Sequence, residues 1–248
     1  MPERRSLAAL RTARKKLAIL SHEITRRDND LPDKLLRISQ RGVGMLGASP
    51  HVDVSRRLIF ELTKAPKPFR GMKDLVIRRG TIDDLRPLST IDHTDESLVR
   101  SRLARGELAY VGELDGEILC HTWFHPGPTP CDEDRDTGAS WALDANTFWS
   151  YNGASKAEAR MSGVFVKLFQ NALHEVFEVH GASRVHGFIH DTNLPSIRMH
   201  ERLGFTCLGA LVVVAVPGFK WLRWDGSGTS RQWVVRRSRD FAIAFPPS

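Results

Sequence analysis

Apolar residues recur at three- and four-residue steps in two long stretches of the chain. Near the start, Leu7, Leu10, Leu17, Leu20 and Ile24 form one stripe, with Arg11, Arg14, Lys15, Lys16, Arg26 and Arg27 interleaved. That is the pattern of an amphipathic basic helix. Residues 34–38 read as a second helix after the Asp30-Leu-Pro break, and residues 56–62 as a third. The other long stripe, Val164, Leu168, Phe169, Ala172, Leu173, Val176 and Phe177, is broken by Gly181 and predicts a long central helix.

Elsewhere the period shortens. Leu75-Val-Ile77 reads as a strand, and Thr81 followed by Asp83 and Asp84 reads as a helix start, where a hydroxyl cap and early acids suit the unpaired N–H groups. Residues 108–114 and 117–124 are extended runs around Asp115-Gly116, a dipeptide that supplies the positive φ angles of a two-residue hairpin. Residues 125–138, rich in Pro, Gly and Asp, predict a loop, and residues 147–151 a fourth strand. A strand over 184–189, a helix over 194–202 and a strand over 207–216 complete the order β-α-β-β-β-α-β-α-β, an α/β chain. The Pro-rich run 64–71 marks a linker. The expected organisation is a basic helical extension over 1–63, that linker, a domain over 72–224, and a tail over 225–248 with room for an extra strand.

Charge sharpens this division. Residues 1–70 carry 16 Lys/Arg against 7 Asp/Glu, whereas residues 71–224 carry 16 against 20. The net +7 therefore comes from the ends, which argues against a basic nucleic-acid-binding domain. The N-terminal stripe is expected to dock on the core or to hold a homo-oligomer together; recruitment of nucleic acid or an anionic surface by its basic face is the alternative. The longest apolar run, 210–216, is too short for a transmembrane helix, and the first twenty residues lack the form of a secretory signal. Cys120, Cys131 and Cys207 match neither a disulfide framework nor a zinc site, so a reducing cytoplasm is expected. Ten histidines invite a metal, yet none form a ligand pair at helical or loop spacing, and none is expected.

Two motifs carry chemistry. The run Asn193-Leu-Pro-Ser196-Ile-Arg-Met-His200-Glu-Arg-Leu-Gly204-Phe205 resembles the signature of the GNAT superfamily of acyl-CoA-dependent N-acetyltransferases, and Arg160-Met-Ser-Gly163-Val-Phe165 resembles its acyl-CoA loop. The resemblance spans roughly 150 residues. It implies a mixed, mostly antiparallel sheet with helices on both faces, and transfer of an acetyl or other acyl group from acyl-CoA to a primary amine. The acceptor is a small molecule or a protein amine. Main-chain amides of Met161, Ser162, Gly163, Val164 and Phe165 would hold the CoA pyrophosphate at a helix N-terminus, with Arg160 and Lys156 supplying charge. Phe165 stands where the family has Gly or Ala, so its ring must point away from the cofactor.

The resemblance also implies that Asn193 and Ser196 bond the CoA arm or the strand end, although Asn193 equally suits a helix N-cap. His200 would be the general acid that protonates the leaving thiolate, as an imidazolium. A main-chain N–H of the fourth strand would polarise the thioester carbonyl. Asp144, His121 and His190 are the candidates for a general base. No cysteine occupies a motif position, so direct attack is expected. A non-catalytic module that keeps the fold and CoA binding is the competing reading.

Overall fold

A computed structural model describes residues 53–69, 74–134, 139–216, 219–226, 234–236 and 241–244. The helices expected over residues 7–24 and 34–38 lie outside the described residues. The strands are β1 (Asp53–Leu62), β2 (Leu75–Arg79), β3 (Leu108–Leu114), β4 (Glu117–Pro126), β5 (Cys131–Asp134), β6 (Ala139–Ala142), β7 (Thr147–Ser155), β8 (Arg184–His190), β9 (Thr206–Val216), β10 (Phe219–Gly226), β11 (Val234–Arg236) and β12 (Phe241–Ala244). The helices are α1 (Leu85–Asp92), α2 (Glu96–Ala104), α3 (Val164–Glu178) and α4 (Leu194–Arg202).

Two units divide the chain, and the larger takes in residues 56–211. Its sheet runs β9-β1-β8-β7-β4-β3-β2. The pairs β1–β8, β2–β3, β3–β4 and β4–β7 are antiparallel, and β7–β8 is parallel. A three-stranded sheet, β12-β6-β5, belongs to the same unit. In the smaller unit β10 pairs antiparallel with β11, Lys220 opposite Arg236.

Local chemistry explains the elements read from sequence. Asp115 (φ 52°) and Gly116 (φ 78°) turn the β3–β4 hairpin in left-handed backbone. The Thr81 hydroxyl accepts from Asp83 N–H while Asp84 reaches back to Thr81 N–H at 2.8 Å, a reciprocal cap that starts the turn leading into α1. The Arg78 guanidinium clamps the same Asp84 carboxylate at 2.8 Å through each of two nitrogens. On α3, Val164, Leu168, Phe169, Ala172, Leu173 and Val176 are buried against Tyr110, Cys120 and Phe124. Helices α1 and α2 take the opposite face: Arg102 of α2 lies over Trp123, the neighbour of Phe124 on β4, and successive strand residues face opposite ways.

Three expectations are corrected. Residues 56–62 form the end of β1, not a helix. Ile59, Phe60 and Leu62 are all buried, with Phe60 and Leu62 in the α3-side core, because both faces of this interior strand are covered. So short an apolar run does not distinguish strand from helix by period. The loop over 125–138 contains β5, and β6 follows at Ala139. Finally, α2 was not anticipated. Only Val99 and Arg102 are buried on it, which leaves no apolar stripe, and its one local signal is the cap at Asp95, whose side chain accepts from Ser97 N–H at 2.6 Å.

Candidate active site

The chain leaves β7 through a short turn over Ala157–Ala159 and enters α3 with two left-handed residues, Met161 (φ 64°) and Gly163 (φ 80°). Gly163 is the N-cap of α3 and offers no side chain to its N–H groups. Ser162 Oγ accepts from Val164 N–H at 3.3 Å, and its own hydroxyl donates to the Ala159 carbonyl at 2.6 Å. The direction in which a Gly163 Cβ would point is open space to 4 Å, and Met161 is 98% exposed. An accessible terminus of a fifteen-residue helix, where Ser162 takes the Val164 N–H but the N-cap residue has no side chain and the first turn no acid, suits an anion such as a diphosphate. Arg160 is exposed beside it, whereas Lys156 is engaged by Glu117.

Phe165 does point elsewhere. A Cβ on Gly153 of β7 would meet Phe165 Cζ at 2.6 Å, so the ring lies on the β7 main chain at a residue with no side chain. It also stacks on Phe169 at 5.9 Å and 12°. The bulk added at 165 is thus accommodated by its absence at 153, and the Phe165 amide stays at the helix start.

β7 pairs with β8 from Thr147↔Arg184 to Ser150↔Gly187. On its other edge it pairs with β4 through Trp123↔Tyr151 and then His121↔Ala154. Asn152 and Gly153 therefore stand against the single residue Thr122. This is a β-bulge, with Asn152 left-handed at φ 52°. It lies just past the last β7–β8 pair, Ser150↔Gly187.

His200 sits on α4 among aromatic rings: Phe205 at 4.8 Å, Phe169 at 5.1 Å and Phe60 at 5.9 Å between centroids. Burial pulls its pKa down from 6.5 to about 4, and the contact with the Ser196 carbonyl, which favours the charged form, offsets only part of that. Nδ1 lies 2.8 Å from that carbonyl and must donate to it, so Nε2 carries the lone pair. The imidazolium expected of a general acid is not the form these surroundings favour near neutral pH. Asn193 caps α4, its Oδ1 accepting from Ser196 N–H at 3.3 Å. The tie of Ser196 to the site is thus through its own main chain.

Of the three base candidates, Asp144 and His190 are exposed, and His190 meets the ring of Phe188 edge-on. His121 is fully buried, its Nε2 2.8 Å from Asp92 Oδ1 in a contact poorly aligned for a hydrogen bond. It belongs to a polar cluster that sequence reasoning did not find. Asp92, at the end of α1, also takes Arg102 Nη1 at 3.2 Å and Asn152 Nδ2 at 2.5 Å. Beside it Tyr151 donates to buried Glu107, which Arg105 Nε also contacts at 2.7 Å. Burial pushes the Glu107 pKa up, but the bonds from His125, Tyr151 and Arg105 outweigh it and leave the carboxylate below its usual range. Asp92 ends α1, Glu107 lies between α2 and β3 and Tyr151 is in β7, and charged residues are ordinarily read as surface, so no local pattern announces the cluster.

No protein-family model and no curated protein matches the sequence. Solved structures do match. A GCN5-related N-acetyltransferase from Kribbella flavida aligns at TM-score 0.50 and 14% identity, over 68% of this chain and 61% of that one. A conserved protein of unknown function from Staphylococcus epidermidis aligns at TM-score 0.50 and 10% identity, over 77% and 69%. A protein described as an acetyltransferase of the GNAT family, from Novosphingobium aromaticivorans, aligns at TM-score 0.48 and 16% identity, over 67% and 66%. The chain spans a little under two thirds of the length of the first and third of these. At these identities the likeness is one of fold, and the chain, with its mixed and mostly antiparallel sheet, has the fold of the GCN5-related N-acetyltransferases.

Proposed function

We propose that the protein transfers an acyl group, acetyl in the first instance, from acyl-CoA to a primary amine. The observation that carries this reading is the pairing, on one stretch of chain, of the β7 bulge at Asn152 with the accessible start of α3 at the left-handed N-cap Gly163. Main-chain N–H groups at the start of α3 hold the pyrophosphate, with Arg160 beside them. The edge of β7 past Ser150 receives the pantetheine arm, and an N–H of the bulge binds the thioester oxygen where charge develops. The amine attacks the carbonyl carbon, the C–S bond breaks with its electron pair going to sulfur, the nitrogen loses a proton and the thiolate gains one. His200, neutral and donating to the Ser196 carbonyl, packs α4 against Phe60, Phe169 and Phe205 rather than supplying that proton. No helix among the described residues is long and apolar enough to cross a membrane.

The test is a melting curve with acetyl-CoA, followed by free-thiol release over a panel of polyamines, amino sugars and peptides. A ligand bound only by the native state raises the melting temperature. No shift at millimolar acetyl-CoA overturns the reading. A shift without thiol release from any amine favours a second one, a non-catalytic acyl-CoA-binding module, to which the buried, neutral His200 lends weight.

A further inference from the structure

The Asn152 bulge is tethered from outside the sheet. Left-handed backbone is unfavourable for any residue with a Cβ, and asparagine usually tolerates it through hydrogen bonds to its own main chain. Asn152 instead donates Nδ2 across to Asp92 Oδ2 at 2.5 Å. The Asp92 side chain is 1% exposed and does not move freely: Arg102 of α2 holds one oxygen at 3.2 Å, and His121 of β4 approaches the other at 2.8 Å. The His121 side of this contact lies opposite Ala154, on the far flank of the same bulge. The carboxylate therefore joins α1, α2, β4 and β7 at one point. Nothing in the α3-side core requires a buried charge here, and burying one is costly unless it is held by several partners.

We infer that Asp92 is a positioning residue for the acyl carbonyl: it fixes Asn152 in its left-handed conformation and so aims the main-chain N–H groups of the bulge. The inference rests on the acyl-CoA reading above and adds a residue to it. Because Asp92 closes α1 and pairs with α2, any displacement of the α1–α2 corner is transmitted to the bulge. The contact to the thioester oxygen then depends on helices that do not touch the cofactor.

The test compares the affinities of the full chain for acetyl-CoA and for CoA by titration calorimetry. The two compounds differ at the acyl group, so their ratio reports on the carbonyl contact. Asp92→Ala removes both acceptor oxygens; it should lower the acetyl-CoA-to-CoA affinity ratio about 2- to 10-fold, the worth of one hydrogen bond, with CoA affinity unchanged. Adding Asn152→Gly should bring the ratio back, since glycine takes the left-handed conformation without a tether. A purely structural role for Asp92 would not be repaired by deleting its partner on the neighbouring strand. Should Asp92→Ala fail to fold, Asn152→Ala leaves the Asp92–Arg102 pair in place and should lower the ratio by the same factor. A wild-type ratio in Asp92→Ala or in Asn152→Ala, or a double variant no better than Asp92→Ala, overturns the inference alone. Failure of the wild-type chain to bind either compound overturns the acyl-CoA reading itself.

Discussion

Acidification should destabilise this protein in a window set by His200. The imidazole is buried among Phe60, Phe169 and Phe205, and burial takes its pKa from 6.5 to about 4. Between those values the unfolded chain binds a proton that the folded chain excludes, so stability falls as pH falls, at up to about 1.4 kcal/mol per pH unit. The contribution is fully present above pH 6.5, about 2 kcal/mol of it is gone by pH 5, and on the order of 3 kcal/mol is lost once pH passes through 4. His200→Met keeps an apolar group of similar reach without a titrating site, and such volume-conserving swaps usually cost less than about 1.5 kcal/mol. Urea unfolding of both proteins at pH 7.5 and 5.0, followed through the buried Trp123, Trp141 and Trp149, isolates the effect, because all other titrating groups are shared. The wild type should lose about 2 kcal/mol more than the variant across that interval. Equal losses, or a His200 resonance that titrates near 6.5 in the native protein, would refute the reasoning and restore the imidazolium as a candidate acid.

Other outcomes follow from single contacts. Gly153→Ala places a Cβ 2.6 Å from Phe165 Cζ and should destabilise by about 1–3 kcal/mol, whereas Gly153→Ala with Phe165→Leu should recover most of the loss in thermal denaturation; strictly additive losses would contradict the packing. Gly163→Ala meets no atom within 4 Å, so its cost is conformational, about 1 kcal/mol at φ 80°, and it should shrink the melting shift produced by acetyl-CoA. Of the three thiols, exposed Cys207 should react with a disulfide reagent at once in the native protein. Cys120, buried and with its pKa pushed up to about 12, and buried Cys131 should react only on unfolding; fast reaction of a second thiol would contradict the core.

Much of the fold could be read from the sequence because it is encoded locally. The β3–β4 hairpin follows from Asp115-Gly116, the first turn from Thr81 and Asp84, α3 from its apolar stripe, and α4 from Asn193, whose cap needs only the next three residues. These are interactions within one turn of chain, so sequence order carries them. The spacing that suggested an acyl-CoA loop is of the same kind, since a left-handed glycine before a long helix is a local feature.

Tertiary structure decided the rest. β1 is a strand because β8, more than a hundred residues later, pairs with it, Phe60 opposite Gly187. Phe165 can stand where a small residue was expected because Gly153, on another element, leaves room for its ring. The sequence determined that a histidine stands at position 200 of a helix; Phe60, Phe169 and Phe205 decided that it is neutral, since desolvation depends on what surrounds a group and not on its neighbours in the chain. The meeting of Asp92, Arg102, His121 and Asn152 is likewise a product of packing: the side chains of Asp92, Arg102 and His121 are buried together, with Asn152 joining them from the surface, only when α1 and α2 close on β4 and β7.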